Sequence, residues 1–207
     1  MLKSLFNSGQ DKLANAIARA DEARVVRLLG KLSPEKLVQP DTEGRHPTEL
    51  AVLARQPRIL QLLLQRIASP VWQASCGTPL TLLAIRQPQN SLALLSVLLR
   101  AGADPNLLHD GQPLLHHCVV HCKEDELMLH LSRLLEHGAD INQSDATGGV
   151  LVQRLLAGGN LPLLQFVLQS GAECDPAWLE ALEDPALAHQ LRRTLEDMRI
   201  RALMLGR

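Results

Sequence analysis

Apolar residues recur along most of this chain at intervals of three and four, the spacing that lines one face of an α-helix. The stretches LLSVLLRAGADPN (94–106), LSRLLEHGADIN (131–142) and LLQFVLQSGAECD (163–175) are each Leu-rich, and each ends on a glycine where a left-handed helix cap is needed. The segment 13–32, LANAIARADEARVVRLLGKL, reads as helix, Ala-Asp turn, helix. From 177 to 205 the pattern predicts a short helix, a break at Asp184-Pro185 and a long charged helix.

These elements repeat. Glycines at 44, 77, 111 and 148 open the comparable segments GRHPTELA, GTPLTLLA, GQPLLHHC and GGVLVQRL. Seven residues after each comes a small or apolar residue: Ala51, Ala84, Cys118 or Leu155. A second landmark closes each unit: Gly102-Ala103-Asp104, Gly138-Ala139-Asp140 and Gly171-Ala172-Glu173, with Ile67-Ala68-Ser69 as a degenerate copy. Each unit therefore reads turn, short helix, turn, longer helix.

The motifs resemble the ankyrin repeat, whose G-x-T-P-L-H-x-A and G-A-D-x-N signatures lie about 33 residues apart. Gly102 to Asn106 and Gly138 to Asn142 match the second signature closely, and Gly111 to His116 carries the terminal Leu-His of the first. Thr-Pro is intact only at Thr78-Pro79, one residue out of phase. The resemblance implies an all-α, ankyrin-type repeat solenoid of stacked helix-turn-helix units with short connecting loops. It gives one repeat domain over 1–207: an N-terminal capping repeat at 11–40, repeats at 41–73, 74–108, 109–144 and 145–176, and a C-terminal helical cap at 177–205. Arg192, Arg193, Glu196, Asp197, Arg199 and Arg201 are expected to give the cap its polar outer face. From Gly111 to Gly138 the spacing is four residues longer than from Gly44 to Ile67, which predicts a longer inter-helix turn or a longer second helix around 121–128.

Composition fits helices: 46% of the chain is hydrophobic, only 2% is aromatic and no Tyr occurs, so the core is built from good helix formers. With 21 Lys+Arg against 22 Asp+Glu, no charge excess attracts nucleic acid or an anionic membrane, and neither is expected as a partner. The longest apolar runs are too short to span a bilayer. The start, MLKSLFNSGQDK, has no sustained apolar segment of the kind a secretion signal needs. Four scattered cysteines are expected to be reduced thiols. Together these predict a cytoplasmic protein, most simply a monomer.

Candidate chemistry centres on His116-His117-Cys118-Val119-Val120-His121-Cys122, which places His117 and His121, and Cys118 and Cys122, at i,i+4. Zinc takes such ligands, but the resemblance gives His116 the repeat's usual backbone-bonding histidine position and Cys118 its small buried one. Too few ligands then remain for a structural zinc site. No cofactor and no metal is expected. Cys118 with His117 or His121 has neither a third group to orient the base nor an oxyanion-stabilising loop, so no enzymatic activity is expected. A metal- or redox-responsive regulator using 116–122 stands as the alternative.

The resemblance implies instead a protein-protein interaction scaffold that binds a folded partner through loop tips and the inner faces of the first helices. Mapped onto this chain, the partner-binding candidates are Arg45, His46, Trp72, Gln73, Arg86, Leu107, Leu108, His109, Asp110, Gln112, His121, Gln143 and Asp145. Trp72 is expected either to anchor a partner together with Leu107 and Leu108 or to tuck beneath its own loop.

Overall fold

In the computed structural model, residues 9–205 are described; the start of the MLKSLFNSGQDK segment read above lies outside them. The chain forms two compact units, residues 1–105 and 106–207, divided inside the Gly-Ala-Asp-Pro-Asn turn.

The first unit holds α1 (Gly9–Ala18), α2 (Glu22–Leu29), α3 (Pro34–Leu37), α4 (Pro47–Leu53), α5 (Pro57–Leu64), α6 (Leu80–Ile85) and α7 (Ser91–Arg100). Helices pair as α1 with α2, α4 with α5 and α6 with α7. First helices stack in one row, α1 on α4 on α6, and second helices in another, α2 on α5 on α7. This two-layer stacking follows from the sequence: each helix pair buries its apolar stripe only against the next repeat. Leu13, Ile17, Val25, Ala51, Leu60, Leu63, Leu80, Ala84, Leu94 and Leu98 form one core, all fully buried. The 13–32 reading holds: Ala20 turns the chain with φ 54°, and the Asp21 carboxylate accepts from Arg24 N to cap α2.

The second unit holds β1 (Leu108–His109), β2 (Gln112–Pro113), α8 (Leu114–His121), α9 (Glu124–Glu136), α10 (Leu151–Leu156), α11 (Leu161–Gln169), α12 (Pro176–Glu180) and α13 (Pro185–Met204). Here α8 packs on α9 and on α10, α10 on α11, and α11 on α13. The extra residues at 121–128 do not make a longer loop. They lengthen the helices, so that α9 runs 13 residues against 8 for α5 and 10 for α7.

The second signature clamps neighbouring turns. Asn106 Nδ2 donates to Gly138 O at 2.9 Å, and its Oδ1 accepts from Asp140 N. One repeat on, Asn142 Nδ2 donates to Gly171 O at 3.2 Å, and its Oδ1 accepts from Glu173 N at 2.8 Å. The left-handed Gly138 (φ 89°) gives the turn the shape that presents its carbonyl to Asn106. At the C-terminal end Asp184 caps α13 by accepting from Ala186 N and Leu187 N, as the Asp-Pro break predicts. Leu187, Ala188 and Leu191 of α13 are buried, whereas the six charged residues assigned to its outer face are exposed.

Candidate functional site

In the first unit the turn before α4 is built around Asp41. Its carboxylate accepts from Glu43 N and Arg45 N, both at 2.9 Å, and from the Arg45 guanidinium, with Nη2 at 2.9 Å and Nε at 3.2 Å. Burial acts to raise the Asp41 pKa, but the bonds from Arg45 and Glu43 outweigh it and hold the group below the ordinary carboxylate value. Arg45 also reaches Glu43 at 2.8 Å, so this candidate tip residue is engaged by its own turn. His46 is half-buried ahead of α4, with Nδ1 2.8 Å from Val38 O.

Glu49 is the residue the sequence reading passed over. It stands five residues after Gly44, where the first signature has histidine, and it is buried. Its carboxylate accepts from Ser75 N and Ser75 Oγ of the next turn, each at 2.8 Å. An acidic residue in the histidine slot was the available signal. Trp72 is half-buried and packs against the core of the first unit, and its carbonyl accepts from Leu80 N at 2.8 Å. Gln73, in an isolated bridge with Pro79, is exposed, as is Arg86 at the end of α6.

The turn opening the second unit is a two-residue β-hairpin. Leu108 pairs with Pro113 and His109 with Gln112 across Asp110-Gly111, whose φ values of 50° and 71° are both left-handed. Asp-Gly is a preferred pair for such a turn. Gly111 is required by its left-handed φ and by space, since a Cβ there would lie 2.8 Å from Ala146 Cβ, and its carbonyl accepts from Ala146 N at 2.8 Å. At the tip Leu108 is 52% exposed and Asp110 is exposed, while Leu107, His109 and Gln112 are half-buried. Three imidazoles run from the hairpin along α8: His109 and His117 have ring centroids 6.0 Å apart, and His117 and His121 stack at 6.0 Å with planes 10° apart. His117 Nε2 lies 3.1 Å from His109 O, tying the hairpin to the helix. Beside this line Val120 is 60% exposed and His121 is exposed.

Gln143 Nε2 donates to Asn106 O at 2.8 Å. Asp145 builds its own turn, as Asp41 does: Oδ1 accepts from Thr147 Oγ1 at 2.6 Å and from Thr147 N and Gly149 N at 2.9 Å, and Oδ2 accepts from Arg154 at 2.9 Å. These bonds, that from the Thr147 hydroxyl first, hold its carboxyl far below the ordinary value. Its side chain is only 8% exposed.

His116 departs from expectation. In place of the backbone bond the resemblance implies, both its ring nitrogens are buried without a hydrogen-bond partner. Asp145 lies nearest, 3.7 Å from Nδ1, with its oxygens already taken by Thr147, Gly149 and Arg154. Burial, seconded by the Arg154 charge, pushes the His116 pKa down to about 4. Of this adjacent pair on α8, it is His117 that bonds backbone.

Cys118 is fully buried, as the small position of the repeat requires. Half-buried Cys122 caps α8, and Cys118, with the buried His130 of α9 after it, acts against burial to lower its pKa to about 6. The four cysteines are unpaired. Among the described residues no group of three or more His, Cys, Asp or Glu side chains is placed to hold a metal ion. The metal form of the alternative reading thus finds no ligand set there.

No protein-family profile matches the chain, and no curated protein matches it in sequence. Solved structures do match it, 255 chains in all. Among them is the ankyrin repeat domain of Bcl-3, described as a unique member of the IkappaB protein family, with 22% sequence identity and a TM-score of 0.54 over 87% of this chain and 97% of that one. The repeated helix pairs, the asparagine clamps and this likeness together give the chain an all-α, ankyrin-type repeat fold.

Proposed function

We propose that the chain is a protein-binding scaffold whose principal contact surface is the β1–β2 hairpin tip and the adjoining face of α8. The observation that carries this reading is the exposure of two large apolar side chains, Leu108 at 52% and Val120 at 60%, one on the hairpin and one on α8. The hairpin is held by Ala146 N and by the His117 ring, so presenting Leu108 and Val120 to a partner loses little conformational entropy. Isolated exposed apolar residues need no explanation, but these two lie on elements joined by the His109, His117 and His121 rings, which supply the polar rim that partners use around an apolar centre.

Leu107, Leu108, His109, Asp110, Gln112 and His121 belong to this patch, with Gln143 at its edge. In the first unit Gln73 and Arg86 are the exposed candidates, whereas Arg45, His46, Trp72 and Asp145 act chiefly to hold their own turns. Near-balanced charge favours a folded protein as partner over nucleic acid, and no helix among the described residues is long and apolar enough to cross a membrane. The reading places the chain in the cytoplasm as a monomer and assigns it no catalytic step.

The test is affinity capture with quantitative mass spectrometry, comparing wild type with Leu108→Glu and Val120→Glu. Partners of the patch should fall at least about tenfold with each variant, since losing a hot spot costs ~2 kcal/mol or more. Arg133→Glu on α9 should retain them. Equal capture by all four proteins would contradict the assignment.

A further inference from the structure

The second helices of the first unit, α2, α5 and α7, stack in one row and leave a groove on each side of α5. Val26, Leu29 and Leu62 line the groove between α2 and α5, of about 270 Å³. Leu64, Val97 and Ala101 line the groove between α5 and α7, of about 250 Å³. Gln65 belongs to both, and each also holds an arginine, Arg66 in the first and Arg100 in the second.

This row is basic, in a chain whose formal net charge is -1. Residues 22–31, 57–66 and 91–100 carry Arg24, Arg27, Lys31, Arg58, Arg66 and Arg100, all exposed, against one carboxylate, Glu22, which pairs with Arg58 at 3.4 Å. Three of the guanidiniums are steadied by backbone. Arg27 Nε donates to Ala23 O at 3.3 Å, Arg100 Nε to Ser96 O at 3.2 Å, and Arg66 Nη2, just past α5, to Leu29 O at the end of α2 at 3.2 Å. A guanidinium presents five N–H donors in a fixed fork, so each of the three keeps N–H groups to offer a carboxylate.

We propose that the two grooves together bind an acidic, amphipathic helical segment of a second protein partner, apart from the one assigned to the hairpin. The segment lies across α5, with apolar side chains in both grooves and carboxylates on Arg27, Arg66 and Arg100. Its spacing follows from the scaffold. The grooves flank one helix, so their centres stand one inter-helix distance apart, ~8–10 Å. At about 1.5 Å per residue a crossing helix covers that distance in roughly six or seven residues, and positions i and i+7 share a face. The segment therefore carries large apolar residues at i and i+7 with Asp or Glu beside them, the pattern of a helix seated in a groove. A nucleic-acid backbone would use the arginines but leave the apolar grooves unfilled, and a lipid surface would meet the charges without entering the grooves.

The probe is a fluorescein-labelled peptide, crosslinked into a helix, with Leu at i, i+3 and i+7 and Glu at the positions beside them. The full chain is titrated into it at low ionic strength and binding is read by fluorescence anisotropy. Binding should saturate, and Kd should rise at least about tenfold for Arg66→Glu and for Arg100→Glu, because each turns an attraction across the interface into a repulsion. Val26→Glu, at a position 49% exposed, should weaken binding as well, whereas Leu108→Glu on the hairpin should bind as wild type does. A peptide of the same composition with its Leu positions scrambled should bind at least about tenfold more weakly. Circular dichroism checks that each variant is folded, and Arg27→Glu repeats the charge test if Arg66→Glu, which loses its bond to Leu29 O, is not. No saturable binding, an unchanged Kd in the arginine variants, or equal affinity for the scrambled peptide would overturn the proposal. So would single-stranded RNA or phosphatidylserine vesicles binding more tightly than the peptide and losing that binding in the same variants.

Discussion

Replacing His116 by leucine tests whether a buried histidine without a partner acts as an acid-sensitive weakness in the second unit. The imidazole is fully buried, and neither nitrogen is hydrogen-bonded. A buried polar group in that state costs about 1–3 kcal/mol, so leucine, of similar volume, should stabilise the protein by an amount in that range at about pH 7.5. Acid widens the difference. With a folded pKa of about 4 against an ordinary 6.5, the native state binds fewer protons than the unfolded chain between those values. Wild-type stability therefore falls as pH drops from 6.5 towards 4, by about 2.5 kcal/mol at pH ~4.5, and the leucine variant lacks this loss. His130 acts in the opposite sense: its raised pKa contributes stability that is complete below 6.5 and is lost as pH rises through its folded value. Both proteins carry that contribution, so it cancels in the difference. The assay is urea unfolding at matched ionic strength, in a Trp72→Phe background so that Trp178 of α12 reports on the second unit. A leucine variant less stable than wild type at neutral pH, or a stability difference that does not grow on acidification, would refute the reasoning.

Deleting residues 177–207 should cause aggregation or a steep fall in melting temperature, read by light scattering and calorimetry. α11, whose Leu164, Val167 and Leu168 are buried, would lose its packing against α13, at roughly 1.5–3 kcal/mol for each large apolar side chain fully uncovered, comparable to a whole domain's margin. Glu49→Ala should destabilise by about 2–3 kcal/mol in chemical denaturation, because Ser75 N and Ser75 Oγ lose a charged acceptor, and Glu49→Gln should cost less. Cys118→Leu should cost ~1–3 kcal/mol through overpacking of a fully buried position, whereas Cys118→Ala should remain well folded by circular dichroism.

What the sequence made legible is backbone. Gly44, Gly77, Gly111 and Gly148, with Gly102, Gly138 and Gly171, all adopt positive φ, and a conformation that glycine adopts at least cost leaves its mark at fixed intervals. Asp21, Asp175 and Asp184 cap their helices for the same local reason. Side-chain partnership is not local, and there the reading slipped. His116 and His117 are adjacent in sequence but diverge by about 100° around a helix, so His117 turns back to the hairpin while His116 turns to an Asp145 already saturated by its own turn. The motif placed histidine at 116 but could not show that its acceptor was occupied. Glu49 took over the clasp that the motif assigns to histidine, because a carboxylate accepts from both Ser75 donors at once. The packing of α9 on α8, which buries His130, joins residues by no local pattern, and the Asp110-Gly111 pair signalled a hairpin where only a loop tip was expected.

A folded partner docked on the hairpin and α8 would shield the backbone of those elements from solvent. Hydrogen–deuterium exchange of the chain, alone and bound to its captured partner, tests this most directly. Slowed exchange should concentrate in residues 107–121, with α5 and α9 unchanged. Protection confined to the second helices, with exchange in 107–121 unaltered, would contradict it.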